Sequence, residues 1–235
     1  SRTVLGQVAA SAMAVITPAG LGWVAVTDDY LPKGGADEHT AHTATTLNMI
    51  ITVLSHIALL LILFTLIPTL DLPPITLPSV ELIVEIGLIA LVVVGILLWV
   101  PASRRKILTD LIGMIRAVPA VVGDPRRSLV MVVAAVAGNR AFGIALIGSV
   151  AAYGPVPSRL GVFVAYMLAA TVAAISPTPG GLGVMEAALV AALVRLGVTP
   201  GSAVAATLTF RLATFWLPLP IGSWALRQGR KDGWL

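Results

Sequence analysis

A few ionisable and amide side chains stand inside otherwise apolar sequence, and these are the residues equipped for chemistry. Glu186 follows the break Pro177-Thr178-Pro179-Gly180-Gly181-Leu182-Gly183, and Arg211 falls near the middle of the apolar run Ala203 to Leu226. Asn139 and Arg140 interrupt the run Leu129 to Ala152, while Asn48 and His56 lie two turns apart on the run Leu47 to Ile67 and so share a face approximately. A charge at the centre of a bilayer-spanning helix costs roughly 2.5–3.5 kcal/mol on insertion scales, so something must offset each one. A guanidinium at such a depth suits a phosphate, and a carboxylate suits an amine or a proton. The alternative is that Glu186 and Arg211 form a static buried pair. Imidazole is the side chain that most readily takes up or releases a proton at physiological pH, which makes His56 a candidate, and its other reading is a polar contact between helices. Asp28 and Asp29 offer a cation or proton site, or else mark the aqueous end of a short helix.

Other chemistries are closed. Cysteine is absent, which removes thiolate nucleophiles, thiolate metal ligands and disulfides. The chain has no G-x-x-x-x-G-K-[ST] phosphate loop, no histidine-rich metal spacing and no Ser/His/Asp arrangement that spacing would support. We therefore expect no cofactor, no metal site and no enzymatic activity. The net charge of +4 carries no basic stripe with interleaved aromatics, so nucleic acid is not the expected partner.

The elements that must position these residues are membrane helices. Of the 235 residues, 57% are hydrophobic and 11% charged, and the mean hydropathy is +0.97. A soluble domain is usually about 25% charged. Apolar runs recur along the chain, and about 20 residues cross a hydrocarbon core of roughly 30 Å. The runs are Val4 to Ile16, Leu47 to Ile67, Leu82 to Val100, Leu129 to Ala152, Leu160 to Ser176 and Ala203 to Leu226, with short segments at Trp23 to Lys33 and Val184 to Leu196. The expected fold is an all-α polytopic membrane protein with about six transmembrane helices plus two short broken or re-entrant helices. The scattered tryptophans read as interface anchors.

The connection 102–127 carries Arg104, Arg105, Lys106, Arg126 and Arg127, and its 102–125 part reads as a basic amphipathic helix on the cytoplasmic leaflet. The loop from Pro68 to Pro78 has no Lys or Arg and is expected outside. Arg227, Arg230 and Lys231 favour a cytoplasmic C-terminus. If each short helix returns to the side it left, the count of crossings places that terminus outside; if the last short helix crosses with its neighbour's help, the conflict disappears. The short first run and the start Ser1-Arg2-Thr3 lead us to expect upstream helices before a single domain over 1–235.

Thr17-Pro18-Ala19-Gly20-Leu21-Gly22 matches Thr178-Pro179-Gly180-Gly181-Leu182-Gly183 at every position but one. Short Gly/Pro-interrupted segments in corresponding halves point to a transporter's binding site. Proline withholds a donor and glycine exposes backbone, so free N–H and C=O groups arise at membrane depth and need protein or a wet cavity. A helix N-terminus there can receive a phosphate. The candidate substrate-contacting set is Pro18, Gly20, Gly22, Arg140, Pro179, Gly180, Gly181, Gly183, Glu186 and Arg211. Close packing of small residues is the other reading of the glycines.

Pro177-Thr178-Pro179-Gly180-Gly181-Leu182-Gly183-Val184-Met185-Glu186, followed by Arg211-Leu212-Ala213-Thr214-Phe215-Trp216, resembles the flippase-like lysylphosphatidylglycerol synthetase transmembrane-region family. The first Thr-Pro-Ala-Gly-Leu-Gly fits the same family. The resemblance implies a multi-pass domain of the cell membrane that moves an anionic or aminoacylated phospholipid, or a lipid-linked intermediate. The alternative it leaves is a scaffold that feeds lipid to an enzyme domain in the same or another chain. Members usually carry further N-terminal spans, and Asp28-Asp29 makes the first short helix more acidic than the family pattern.

Overall fold

The computed structural model describes residues 2–17, 21–66, 123–176 and 178–233. The expected 68–80 loop, the span Leu82 to Val100 and the amphipathic 102–125 connection up to residue 122 lie outside the described residues, as do Pro18 and Gly20. The described elements are helices: α1 (Arg2–Ile16), α2 (Leu21–Lys33), α3 (Glu38–Leu66), α4 (Pro125–Ala151), α5 (Arg159–Ile175), α6 (Val184–Arg195), α7 (Pro200–Arg211) and α8 (Pro218–Lys231). A 3-10 turn, Pro179–Gly181, precedes α6, and a π-helical segment, Leu212–Trp216, joins α7 to α8. Thr40–Leu63, Pro125–Ala151 and the continuous Pro200–Lys231 are long and apolar enough to cross a membrane.

Local chemistry sets the helix starts. Asp37 Oδ2 accepts the Thr40 N–H at 2.9 Å, so α3 begins within the polar stretch that leads into the apolar run Leu47 to Ile67. Asp124 accepts the Arg127 N–H at 3.0 Å, with Pro125 in the first turn, where its missing donor does no harm. Ser158 caps α5 through the Gly161 N–H at 3.0 Å.

The helix directions follow from who touches whom. On α3 and α4, His56 meets Asn139, while Leu59, Ile62 and Leu63 share a groove with Arg140, Ile144 and Ile147, so the two run parallel. Ser202 at the start of α7 donates to Tyr153 O just past the end of α4, so α7 runs back along α4. Along α8 and α1, Gly222 faces Ala12, and Ala225 packs with Ala9 and Ala10, so these run antiparallel. A Cβ on Gly222 would overlap the Cβ of Ala12 and sit 2.7 Å from Val8 O, the close approach that small residues permit between membrane helices.

The result is two hairpins of opposite orientation. Helices α1 and α2 enter from the end of the bundle where α3 and α4 start and turn back at the first glycine motif. Helices α5 and α6 enter from the other end, near Tyr153, and turn back at the second motif. The tips meet: a Cβ on Gly180 would lie 2.5 Å from Val15 O. The unit α1–α2–α3 is thus repeated, inverted, by α5–α6–α7/α8, which is the repeat arrangement found in many transporter folds. The main core is shared by α4 to α7, with Leu146, Val162, Met167, Leu189, Leu193 and Phe210 fully enclosed.

Helix α5 pairs with α6 as one hairpin, and α7–α8 then runs back along α4 toward the end of the bundle where α4 began.

Candidate functional site

The second motif is shaped by three glycines with positive φ: Gly180 (56°), Gly181 (65°) and Gly183 (82°), a conformation that disfavours a Cβ. Two of them also sit where a side chain would collide. A Cβ on Gly180 would overlap the Phe215 ring, and one on Gly181 would lie 2.5 Å from the Cβ of Ala173 on α5. Close packing thus fixes this tip, and it leaves the Gly180 carbonyl accepting from Arg211.

Arg211 is the hub of this tip. Its Nε donates to Glu186 Oε1 at 2.6 Å, its Nη2 donates to Gly180 O at 3.1 Å, and its Nη1 faces Met185 Sδ at 3.5 Å. The guanidinium carbon stands 4.3 Å from the centre of the Phe215 ring, a cation–π contact. Only 5% of Arg211 is exposed. Glu186 works with both oxygens: Oε2 accepts the Gly183 N–H at 2.7 Å and so caps α6, while Oε1 holds Arg211. The carboxylate thus occupies the helix N-terminus that the sequence offered to a phosphate. Its side chain keeps 22% exposure, so the pair is reachable from the carboxylate side.

The rise from Pro200 to Arg211 is roughly 16 Å, about half of a roughly 30 Å hydrocarbon core. The π-helical segment starts at the residue after Arg211, and such segments concentrate at functional sites.

The first motif is built differently. Thr17 Oγ1 donates to Met13 O at 2.7 Å and accepts the Gly22 N–H at 2.7 Å, tying the end of α1 to the start of α2. Gly22 itself packs on the Met13 backbone too closely for a Cβ. In the second motif Thr178 instead bonds to Ser176, Oγ to Oγ at 2.8 Å.

A second polar cluster joins α3, α4 and α5 at similar depth. His56 Nδ1 lies 3.2 Å from Asn139 Oδ1 and His56 Nε2 lies 3.0 Å from Thr171 Oγ1. Asn139 Nδ2 donates to Ala135 O at 3.1 Å, which turns its Oδ1 toward the ring. The next residue, Arg140, lines a cavity of about 450 Å³ between the same helices, walled by Leu59, Leu63, Ile144 and Phe163 and also lined by Arg159. Neither arginine has an acidic partner among the described residues.

The structure therefore unites Gly180, Gly183, Glu186 and Arg211 and keeps Arg140 with Asn139 and His56 in a separate place. Asp28 and Asp29 belong to neither: Asp29 pairs with Lys33 at 3.1 Å and Asp28 with His42 at 3.0 Å, near the end of α2. Asn48 lies on α3 beside a small cavity of the first hairpin. Sequence reasoning missed Phe215, although its position four residues after Arg211 on one helical face was a legible signal. Thr171 and Arg159 gave no comparable one.

Fold and site define an all-α membrane protein built on two opposed hairpins whose tips meet beside a buried ion pair. The chain belongs to the lysylphosphatidylglycerol synthase transmembrane-region family, whose model matches residues 1–222. No curated protein and no solved structure matches it. Membership makes it a membrane domain of lipid metabolism or transport.

Proposed function

We propose that this domain moves a lipid with an anionic or aminoacylated headgroup, or a lipid-linked intermediate, between the leaflets of the cell membrane, with no catalytic step of its own. The observation that carries this reading is the meeting of two opposed hairpins at mid-depth beside the Glu186–Arg211 pair. Each hairpin closes the path from one end of the bundle, so opening one at a time would expose the pair alternately to the two sides. A headgroup amine would compete with Arg211 for Glu186, and a headgroup phosphate would compete with Glu186 for Arg211. The apolar cavity with Arg140 and Arg159 supports lateral contact with lipid. The C-terminal cluster Arg227, Arg230 and Lys231, at the same end of the bundle as Arg126 and Arg127, supports a multi-pass chain with that end cytoplasmic.

Headgroup-resolved lipid scrambling in proteoliposomes tests this. Glu186→Gln, which preserves side-chain shape, is expected to stop movement while the protein remains folded. Full movement in both Glu186→Gln and Arg211→Lys would remove the pair from the mechanism. The tight seating of Gly180 against Val15 and Phe215 favours a second reading, a scaffold that presents lipid to an enzyme. Wild-type protein that moves none of a broad lipid panel would support it.

A further inference from the structure

The first hairpin holds a cavity with several polar residues in its wall that the ion-pair site does not use. About 230 Å³ in volume, it lies between α1, α2 and α3 and is lined by Gln7, Trp23, Thr27, Tyr30, Thr45 and Asn48, with Leu31 and Ala44 completing the wall. The rise from Glu38 to Thr45 and Asn48 is roughly 10–15 Å, which sets the cavity well below the end of the bundle. Polar groups at that depth need partners. Yet the Thr27 hydroxyl is enclosed, with the residue 3% exposed, and has no hydrogen-bond partner. Gln7 Nε2 donates to the Tyr30 hydroxyl at 3.0 Å, which leaves that hydroxyl's own proton free, and Thr45 already donates to Ala41 O at 3.0 Å, which leaves it an acceptor.

The inverted repeat shows that this polarity is not a requirement of the fold. Placing Thr17 on Thr178 sets Gln7 on Leu168, Trp23 on Val184 and Thr27 on Ala188. Leu168 and Ala188 pack into the apolar core of the second unit. Trp23 is also far from where an interface anchor belongs, since it opens α2 at the hairpin tip. A cavity with polar residues in its wall therefore stands in one unit where the other packs apolar side chains.

We propose that this cavity receives an uncharged, hydroxyl-rich lipid headgroup, such as a sugar. No charged side chain lines it, so a phosphate or an ammonium would lose its hydration without gaining a counter-charge. Hydroxyl groups both donate and accept, which matches the mixed set of Thr27, Tyr30, Thr45, Asn48 and Gln7. The rings of Trp23 and Tyr30 supply apolar faces for the C–H faces of such a headgroup. The volume is that of about eight waters at roughly 30 Å³ each, smaller than a drug-sized pocket. This goes beyond the transport reading by giving the first hairpin a headgroup chemistry separate from the charged one proposed at the Glu186–Arg211 pair, and it rests on that reading only for the consequence of binding.

Lipid retention by the purified protein in detergent, read by native mass spectrometry, tests the site with monoglucosyl diacylglycerol, diacylglycerol and phosphatidic acid of identical chains. The glucosyl lipid is expected to be retained preferentially. Thr27→Val and Asn48→Leu should each weaken that preference roughly fivefold, the value of one neutral hydrogen bond. Equal retention of the three lipids, or an unchanged preference in both folded variants, overturns the proposal. Free glucose that displaces the glucosyl lipid at equal concentration overturns the lipid source. Selective retention by a protein that scrambles no lipid leaves the cavity assignment standing and defeats the transport reading instead.

Discussion

At the scale of single residues, Glu186 matters because each of its oxygens has a separate task. One caps α6 through Gly183 and the other neutralises Arg211. Breaking a buried pair by removing one partner leaves an uncompensated charge and typically costs roughly 3–5 kcal/mol. Arg211→Ala removes the cation, the Gly180 contact and the Phe215 stacking together. We expect it to destabilise the domain by roughly 3 kcal/mol, the lower end because Glu186 is partly exposed, visible as a fall in melting temperature in detergent. Glu186→Gln leaves the more enclosed Arg211 charge without its counter-charge and keeps only one acceptor oxygen for two tasks, so its loss of stability should be comparable. A Glu186→Gln protein as stable as the wild type would contradict this division of roles.

Among elements, the hairpin tips carry the most specific demands on sequence. Gly180 and Gly183 both have positive φ, but of these two Gly180 alone lacks room: a Cβ at Gly183 meets nothing within 4 Å. Gly183→Ala should therefore cost only the backbone term, roughly 1–2 kcal/mol. Gly180→Ala adds collision with Phe215 and Val15, where overpacking brings about 1–3 kcal/mol more. Thermal unfolding of the two variants side by side measures the contact between the tips. Equal losses would mean that the tips do not press on one another.

For the whole molecule, the opposed hairpins make a prediction about sides. Ala36 and Lys231 lie at the end of the bundle where α4 starts, and Pro155, exposed on the turn between α4 and α5, lies at the other. The chain has no native cysteine, so single cysteines report cleanly. In sealed vesicles an impermeant thiol reagent should label Ala36→Cys and Lys231→Cys from one side and Pro155→Cys from the other. Ala36→Cys and Lys231→Cys reacting from opposite sides would refute the inverted repeat.

Much was legible in the sequence because a hydrocarbon solvent judges each segment locally. The runs that became α1, α3, α4 and α5, both glycine motifs and the charged residues stranded in apolar surroundings all follow from composition within a short window. What such a window cannot contain is who meets whom. Glu186 and Arg211 are both conspicuous, but only the packing of α6 against α7 put them 2.6 Å apart, and only the contact of Gly180 with Val15 brought the two motifs tip to tip. His56 and Arg140 looked like members of the same site, yet they sit with α3, α4 and α5 in another part of the bundle. Asp28 and Asp29 are equally conspicuous, but only the packing of α2 against α3 put Asp28 3.0 Å from His42. The reason is physical: whether a segment enters a membrane depends on its own residues, whereas the partners of a charge within it depend on helices distant in sequence, and those are chosen by close packing of the whole bundle.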